Sequence, residues 1–171
     1  MTKIFFFDID NTLLDHRTNT IPESALSAIS DLKASGHQVV VATGRSHAHA
    51  KEYLLQLQPS YAVMQNGAIV LRGDEVMDKS PLAYDGLISL FAEMTARGHA
   101  YGINGDEGGH VSAETDEVML PMDSVEITVN ADFDFYKTSE VLQGWLFFDE
   151  SLDDELIPEL NVMFPQFDYV R

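Results

Sequence analysis

No cysteine occurs in the 171 residues, which excludes disulfides, thiolate metal ligands and a cysteine nucleophile but does not reveal the compartment. Positive charge is scarce as well. Ten Lys and Arg stand against 28 Asp and Glu, a formal net charge of −18 at pH 7. A surface of that sign repels nucleic acid and anionic lipid at long range, so neither is an expected partner. A phosphate-bearing substrate would be repelled too, and its site would need local positive charge from a cation, an arginine or helix N-termini. Most of the excess acid is read as maintaining solubility. No apolar run approaches the roughly 18 residues that cross a bilayer. No basic, apolar, small-residue stretch opens the chain, so no signal peptide is visible. The expectation is a soluble, cytoplasmic protein. Apolar residues make up 45% of the chain, enough for a real core, and the length suits one medium domain or a compact core with a second lobe.

The stretch that organises the rest is Lys3 to Leu14. Its apolar run, Ile4 to Phe7, has the pattern of a strand buried on both faces of a parallel sheet. It ends in two carboxylates, Asp8 and Asp10, followed by the turn-formers Asn11 and Thr12. Ligands of open α/β sheets collect just beyond the carboxyl ends of strands. Two acids there repel one another and resist burial, at a cost of several kcal/mol if unpaired. A divalent cation is the simplest way to hold them, which makes Asp8 and Asp10 candidate Mg²⁺ ligands, with an Asp nucleophile among the options. The plainer reading is a strand ending in a turn, where Asp is common. From this stretch alone both stand.

Thr20-Ile21-Pro22-Glu23 has capping-box spacing, and Ala25, Leu26, Ile29 and Leu32 then recur at helical intervals up to a stop at Gly36. Val39 to Ala42 reads as another buried strand, and strand–helix–strand order favours parallel pairing. That strand runs into Thr43-Gly44-Arg45-Ser46. Ser46 is a candidate cap for a helix with the stripe Ala50, Tyr53, Leu54 and Leu57, ending near Pro59. A Thr hydroxyl and a Gly amide before a helix N-terminus suit an anion, and Arg45 could add a bidentate phosphate contact. The alternative is an ordinary strand-to-helix turn. A third strand, Tyr61 to Met64, leads to Gln65-Asn66-Gly67. Asn66 could face the same sheet edge or merely form a hairpin turn, because Ala68 to Leu71 and Glu75 to Met77 flank Gly73-Asp74 as a β-ribbon.

The pattern changes around Ser80-Pro81, where a second lobe is expected to begin. Tyr84, Leu87, Ile88, Phe91 and Met94 form a helical stripe closed by Gly98. Strand-like pieces follow at Ala100 to Ile103, His110 to Ala113, Val125 to Val129 and Trp145 to Phe148, with a loose segment from Asn104 to Gly109. A helix is expected around Leu152 to Phe164 despite Pro158, and Phe167 to Arg171 looks like the start of a strand. Met119 and Met122 are read as packing. The six histidines are read as surface residues, with His47 and His49 on different helix faces and His47 able to approach the site.

With these pieces placed, the chain resembles the haloacid dehalogenase-like superfamily, in particular the Cof-type phosphatases. The resemblance rests on Phe7-Asp8-Ile9-Asp10-Asn11-Thr12-Leu13-Leu14, Ala42-Thr43-Gly44-Arg45 and Asn66-Gly67-Ala68. It implies an α/β fold: a Rossmann-like parallel-sheet core over 1–80, incomplete, and an α/β cap domain over 81–171. By resemblance Asp8 is the nucleophile that forms an aspartyl-phosphate, and Asp10 is the acid and base. Mg²⁺ would sit on Asp8 and Asp10, the latter through its main-chain carbonyl. Asn11, Thr12, Thr43 and Gly44 would bind phosphate, and Arg45 and Asn66 would contact phosphate or leaving group. The substrate is expected to be a small phosphorylated metabolite such as a sugar phosphate, sorted by a cap loop at Gly105 to Gly109.

Asn11 stands where the family more often has Gly. A Lys after the cap and a late Gly-Asp-x-x-x-Asp motif are absent where expected, as though the chain stopped within the cap's last strand. The acids of Phe147 to Asp154 resemble that motif superficially, Gly105-Asp106 is a weaker substitute, and Lys137 is the only Lys beyond Lys79. A core without late strands would expose an edge, which suggests pairing with another copy or a fragment of a longer gene product. The leading expectation is a Mg²⁺-dependent phosphomonoester hydrolase. The alternatives are a weak or silent phosphate- and cation-binding protein of the same fold, and a receiver domain, which the second lobe disfavours.

Overall fold

The computed structural model describes residues 1–15, 17–105, 108–124, 129–130 and 140–170. The chain divides into two compact units, Met1–Ser80 and Pro81–Arg171.

The first unit is built on β1 (Ile4–Phe7), α1 (Glu23–Ala34), β2 (Gln38–Ala42), α2 (His47–Leu57), β3 (Tyr61–Met64), β4 (Ile69–Arg72) and β5 (Glu75–Lys79). Its sheet has the order β1-β2-β3-β4-β5. The first three strands are parallel, with Phe6 opposite Val40 and Val41 opposite Ala62, and β3 to β5 form an antiparallel meander. Parallel neighbours need crossovers, and α1 and α2 supply them. Both crossovers return the chain to the same sheet edge, so the loops after β1, β2 and β3 meet at one place.

Val39, Val40 and Val41 are buried at 0%, 4% and 0% exposure, as their apolar run requires. β1 does not follow the same rule. It is an edge strand, pairing only with β2 among the described residues, and Ile4 and Phe6 are 58% and 65% exposed. An apolar run reports affinity for a sheet, not whether a neighbour covers it, so the expected two-sided burial is corrected. The capping box is corrected as well. Pro22 takes the N-cap position with extended backbone, while Thr20 stays in a short bridge to Asp15 and its hydroxyl meets that of Thr18 at 2.8 Å. Proline needs no amide partner at a helix start, so the helix begins just after it and Thr20 remains in the loop.

The second unit contains α3 (Tyr84–Ala96), β6 (Ala100–Gly105), β7 (Gly108–Val111), α4 (Asp116–Ser124), β8 (Val129–Asn130), β9 (Gln143–Phe147) and a last helix, α5 (Asp153–Met163). Its sheet runs β8-β7-β6-β9. Leu87, Leu90, Phe91 and Met94 of α3 pack with Leu156 and Leu160 of α5 and with Ile103 of β6. Phe91 stacks on Tyr101 at 4.2 Å between ring centroids. Tyr84 and Ile88, placed on the buried stripe by spacing, lie 45% and 39% exposed at its rim.

Two expectations for this unit are corrected, and one helix was not foreseen. The segment Asn104 to Gly109 is not a loose loop: β6 and β7 run through it as a hairpin with Gly105 opposite Gly108, and 106–107 lie outside the described residues. α4 forms despite Pro121, because Val118 and Met122 bury against Val111 and Phe147. Phe167 to Val170 is not a strand; Phe167 plugs the core instead. The strand expected at Val125 to Val129 falls largely outside the described residues, as does Lys137.

Candidate functional site

β1 delivers Phe7 to the sheet edge, and after Asp8 the five residues Ile9–Leu13 close a tight turn in which the Leu14 amide donates to the Ile9 carbonyl at 2.9 Å. Buried Ile9 and Leu13 anchor this turn from below. Asn11 is its pivot, at φ +57°. Gly and Asn are the residues that occupy that region at least cost. Asn11 is therefore a residue this backbone accepts. Thr12 sits exposed in the same turn.

Asp8 begins the turn, exposed, with its carboxyl pushed above the ordinary aspartate range. Desolvation is the largest cause; the negative charge of Asp10 adds to it, while the Ile9 amide and the positive charge of Arg45 oppose it. Asp8 therefore shares one electrostatic neighbourhood with Asp10 and Arg45, although Arg45 arrives from the end of β2.

Arg45 makes the strongest contact of the site. Its Nε donates to Asp10 Oδ2 at 2.9 Å and its second guanidinium nitrogen donates to Oδ1 at 2.8 Å, a bidentate pair across 35 positions. The sequence suggested a phosphate for this fork. Here its partner is the second aspartate. The backbone beneath is pinned three ways. The Thr43 amide donates to the Val63 carbonyl at 2.9 Å, the Arg45 amide to the Thr43 hydroxyl at 3.2 Å, and the Gln65 amide to the Arg45 carbonyl at 3.2 Å. Thr43 is buried as a result.

After β3, Gln65, Asn66 and Gly67 all have positive φ, at +49°, +55° and +97°. Two consecutive non-glycine residues there store backbone strain, a cost met where the surroundings over-determine the conformation. Buried Gln65, with its amide on Arg45, is that restraint. The turn is thus a hairpin connection and also places Asn66 beside the second loop: a β-carbon at Gly44 would lie 3.0 Å from Asn66 Oδ1. Glycine at position 44 keeps that approach open.

Three side chains of this neighbourhood were given other roles in the sequence and not assigned to the site. Ser46, expected as a helix cap, makes no capping bond; its buried hydroxyl meets His49 Nδ1 at 2.7 Å. His49 is half-buried, not a surface residue, and its pKa is lowered by burial and then by the charge of Arg45. Tyr53 places its ring 5.1 Å from the Arg45 guanidinium. Their i, i+4 spacing was visible in the sequence, but nothing local indicated that Arg45 faces that side of α2. His47 is exposed.

The other acids noted in the sequence do structural work. Asp149 Oδ1 accepts from the Ser151 amide at 2.9 Å, and Asp153, Asp154 and Glu155 occupy the first turn of α5, where the helix dipole favours acid. Among the described residues no group of three or more Asp, Glu or His side chains forms a cation cage. No helix of the described residues is long and apolar enough to cross a membrane.

A parallel α/β unit with an Asp-x-Asp turn after its first strand and Thr-Gly-Arg after its second has the fold and edge geometry of the haloacid dehalogenase-like hydrolases. The sequence model of that family matches residues 5–167, and the chain belongs to it. Over 172 aligned residues it is 30% identical to YkrA of Bacillus subtilis (strain 168), provisionally named a phosphatase, covering 99% of this chain and 65% of YkrA. The crystal structure of a hypothetical protein from Geobacillus kaustophilus HTA426 superposes with a TM-score of 0.84 at 29% identity, over 100% of this chain and 66% of that one. The subclass IIB sugar phosphatase BT4131 superposes with a TM-score of 0.73 at 25% identity, over 92% and 63% of the two chains. The family model and these neighbours agree with the Cof-type reading of the motifs. The chain spans about two thirds of the length of each of these three relatives.

Proposed function

We propose that this chain is a Mg²⁺-dependent phosphomonoester hydrolase acting on small phosphorylated metabolites, sugar phosphates foremost, through an aspartyl-phosphate on Asp8. The observation that carries the proposal is the convergence of the β1 and β2 loops, where Asp8 is coupled to Asp10 and to Arg45. The names of YkrA and BT4131 support the reaction class and, for BT4131, the sugar substrate.

In the first half-reaction the Asp8 carboxylate attacks phosphorus as the bond to the leaving oxygen breaks, and Asp10 gives that oxygen its proton. In the second, Asp10 takes a proton from the water that attacks the phosphorus and frees Asp8. An Asp10 gripped by both nitrogens of Arg45 is held ionised, the form suited to the second half. To act as the acid it must let go of at least one of them. Asn11, Thr12, Thr43 and Gly44 are the groups proposed to hold phosphate oxygens, with Arg45 and Asn66 contacting the phosphate or leaving group. Pro81–Arg171 is proposed to serve as the substrate-sorting cap, and the cytoplasm is the proposed compartment.

The residues suit a magnesium ion. Mg²⁺ takes one or two carboxylates and keeps several waters, and the raised pKa of Asp8 marks a carboxylate that a cation would help keep ionised. The Asp8 carboxylate and the Asp10 main-chain carbonyl are the proposed ligands. When bound, the ion supplies neutralising charge between nucleophile and phosphate. That charge is needed, because Arg45 is already matched by Asp10 and the chain as a whole carries −18.

The test is release of p-nitrophenol from p-nitrophenyl phosphate by the purified chain, with Mg²⁺ or with chelator, beside Asp8→Asn. Turnover should require the metal and vanish in the variant. Undiminished turnover in Asp8→Asn would rule out the nucleophile. A second reading, a weak or silent phosphate- and cation-binding protein, is favoured by the absence of a third acid near the pair among the described residues. Calorimetry with Mg²⁺ and inorganic phosphate, alongside the turnover assay, separates the two: binding without turnover supports the silent protein.

A further inference from the structure

Arg45 has four rotatable side-chain bonds, and an unsupported guanidinium on so long a stem samples many orientations. Yet its fork meets both Asp10 oxygens, at 2.9 and 2.8 Å, with only 19% of the side chain exposed. Backbone restraints at Thr43 and Gln65 fix where the stem starts. They do not fix where the guanidinium ends. Besides Asp10, a contact on that end comes from α2, where Tyr53 puts its ring 5.1 Å from the guanidinium carbon. One turn earlier on the same helix, His49 is locked by its 2.7 Å bond to the buried hydroxyl of Ser46, the residue next to Arg45.

We infer that Tyr53 and His49 are positioning residues for the proposed reaction, holding Arg45 so that its fork sets the orientation of Asp10. The inference rests on the hydrolase reading for its catalytic consequence, but the arrangement itself is independent of turnover. The ring does more than wall off the stem. A cation over an aromatic face keeps part of its stabilisation when a carboxylate partner departs. Arg45 thus has a second resting contact during the interval in which Asp10 must hold a proton instead of a guanidinium. His49 contributes in two ways. Its bond to Ser46 ties the first turn of α2 to the loop that carries Arg45. Its preference for the neutral form, caused by burial and by Arg45 itself, avoids a second positive charge beside the fork.

The decisive experiment uses the full chain labelled with ¹⁵N-arginine, with the Arg45 Nε–H signal assigned by its loss in Arg45→Lys. A paired guanidinium over a ring should give a slowly exchanging resonance displaced by the ring current. Tyr53→Leu should abolish that displacement and speed exchange, while Tyr53→Phe preserves both. His49→Ala should broaden the signal, and His49→Asn, which can still bond Ser46, should restore it. A resonance unmoved in Tyr53→Leu or in His49→Ala overturns the role of that residue. The second arm is kinetic. Aryl phosphates leave without much help from an acid, whereas alkyl phosphates need it. Tyr53→Leu should therefore lower kcat for glycerol 2-phosphate on the order of tenfold more than for p-nitrophenyl phosphate, with KM little changed. Equal losses on both substrates would mean a merely structural residue and overturn the inference. A wild-type chain with no turnover on either ester would refute the hydrolase reading, while the arginine resonance would still decide the positioning role.

Discussion

Removing Arg45 tests the electrostatic centre of the site most directly. The pair with Asp10 is neither fully exposed nor buried: 19% of the arginine side chain and 37% of the aspartate side chain reach solvent. Exposed ion pairs contribute up to about 1 kcal/mol, and breaking a buried pair costs roughly 3–5 kcal/mol. Two parallel charge-assisted bonds push this pair upward within that range, and water at Asp10 pulls it down. A coupling of about 1–2 kcal/mol follows. The assay is a double-mutant cycle of wild type, Arg45→Met, Asp10→Asn and the double variant. Urea unfolding should be followed through the amide signals of β1 and β2, so that only the unit carrying the site is read. At 1 M salt the screening length falls to about 3 Å, and the coupling should fall by about half.

Arg45→Met alone should lose more than the coupling energy, because Asp8 and Asp10 then face one another without the charge that now opposes the rise in the Asp8 pKa. Mg²⁺ should recover more stability in this variant than in wild type. A coupling below about 0.3 kcal/mol, within the scatter of independent sites, would refute the reasoning. The bidentate geometry would then be a surface contact with no energetic standing, and the positioning roles of Tyr53 and His49 would lose their object.

Two further predictions concern packing and pH. In β6, a β-carbon at Gly102 would meet the His110 carbonyl oxygen at 2.8 Å and Trp145 at 3.1 Å, so Gly102→Ala should cost about 1–3 kcal/mol in urea unfolding. At Gly144 of β9, opposite Ile103, the nearest atom would be 3.7 Å away, and Gly144→Ala should stay within about 0.5 kcal/mol of wild type. The folded state lowers the pKa of His49. Below about pH 6.5 the unfolded imidazole takes a proton before the folded one does, so stability is lost as pH falls through that window and is unaffected above it. Unfolding measured between pH 7.5 and 5 should show this slope, and His49→Gln should flatten it.

The parts of the fold legible in the sequence are those whose physics is local. Val39 to Val41 is an apolar run that forms a buried strand, and Leu87, Phe91 and Met94 recur at helical spacing and bury together. The failures share one cause, which is that a partner elsewhere in the chain decided the outcome. Phe6 is as apolar as a core residue, yet its exposure depends on whether a strand lies beyond β1. α4 contains Pro121 and little periodic signal, and it forms because Val118 and Met122 have Val111 and Phe147 to cover. Thr20 had the spacing of a cap, but Pro22 could start the helix without one.

The site divides along the same line. Asp8, Asp10, Thr43, Gly44 and Arg45 could be placed at one sheet edge because each follows a strand, and parallel strands joined by helices bring their ends together. Their roles relative to one another could not be found that way. Seen alone, Arg45 at a helix start is an anion receptor, and Asp10 after a strand is a metal ligand or acid. In the fold each side chain is the other's partner, and neither anion binding by the fork nor acid chemistry at the carboxyl can be exercised without disturbing the pair. This bears on chemistry and not only on geometry. A single carboxyl that must first give a proton and then take one needs its two charge states close in energy. The Arg45 fork favours the ionised state and so moves them apart; in the proposed reaction it is release of the fork, with Tyr53 still beside the guanidinium, that would bring them closer. The strained turn at Gln65 and Asn66 fits the same logic, since it places an amide on the Arg45 carbonyl and leaves the guanidinium end of the side chain free of that constraint.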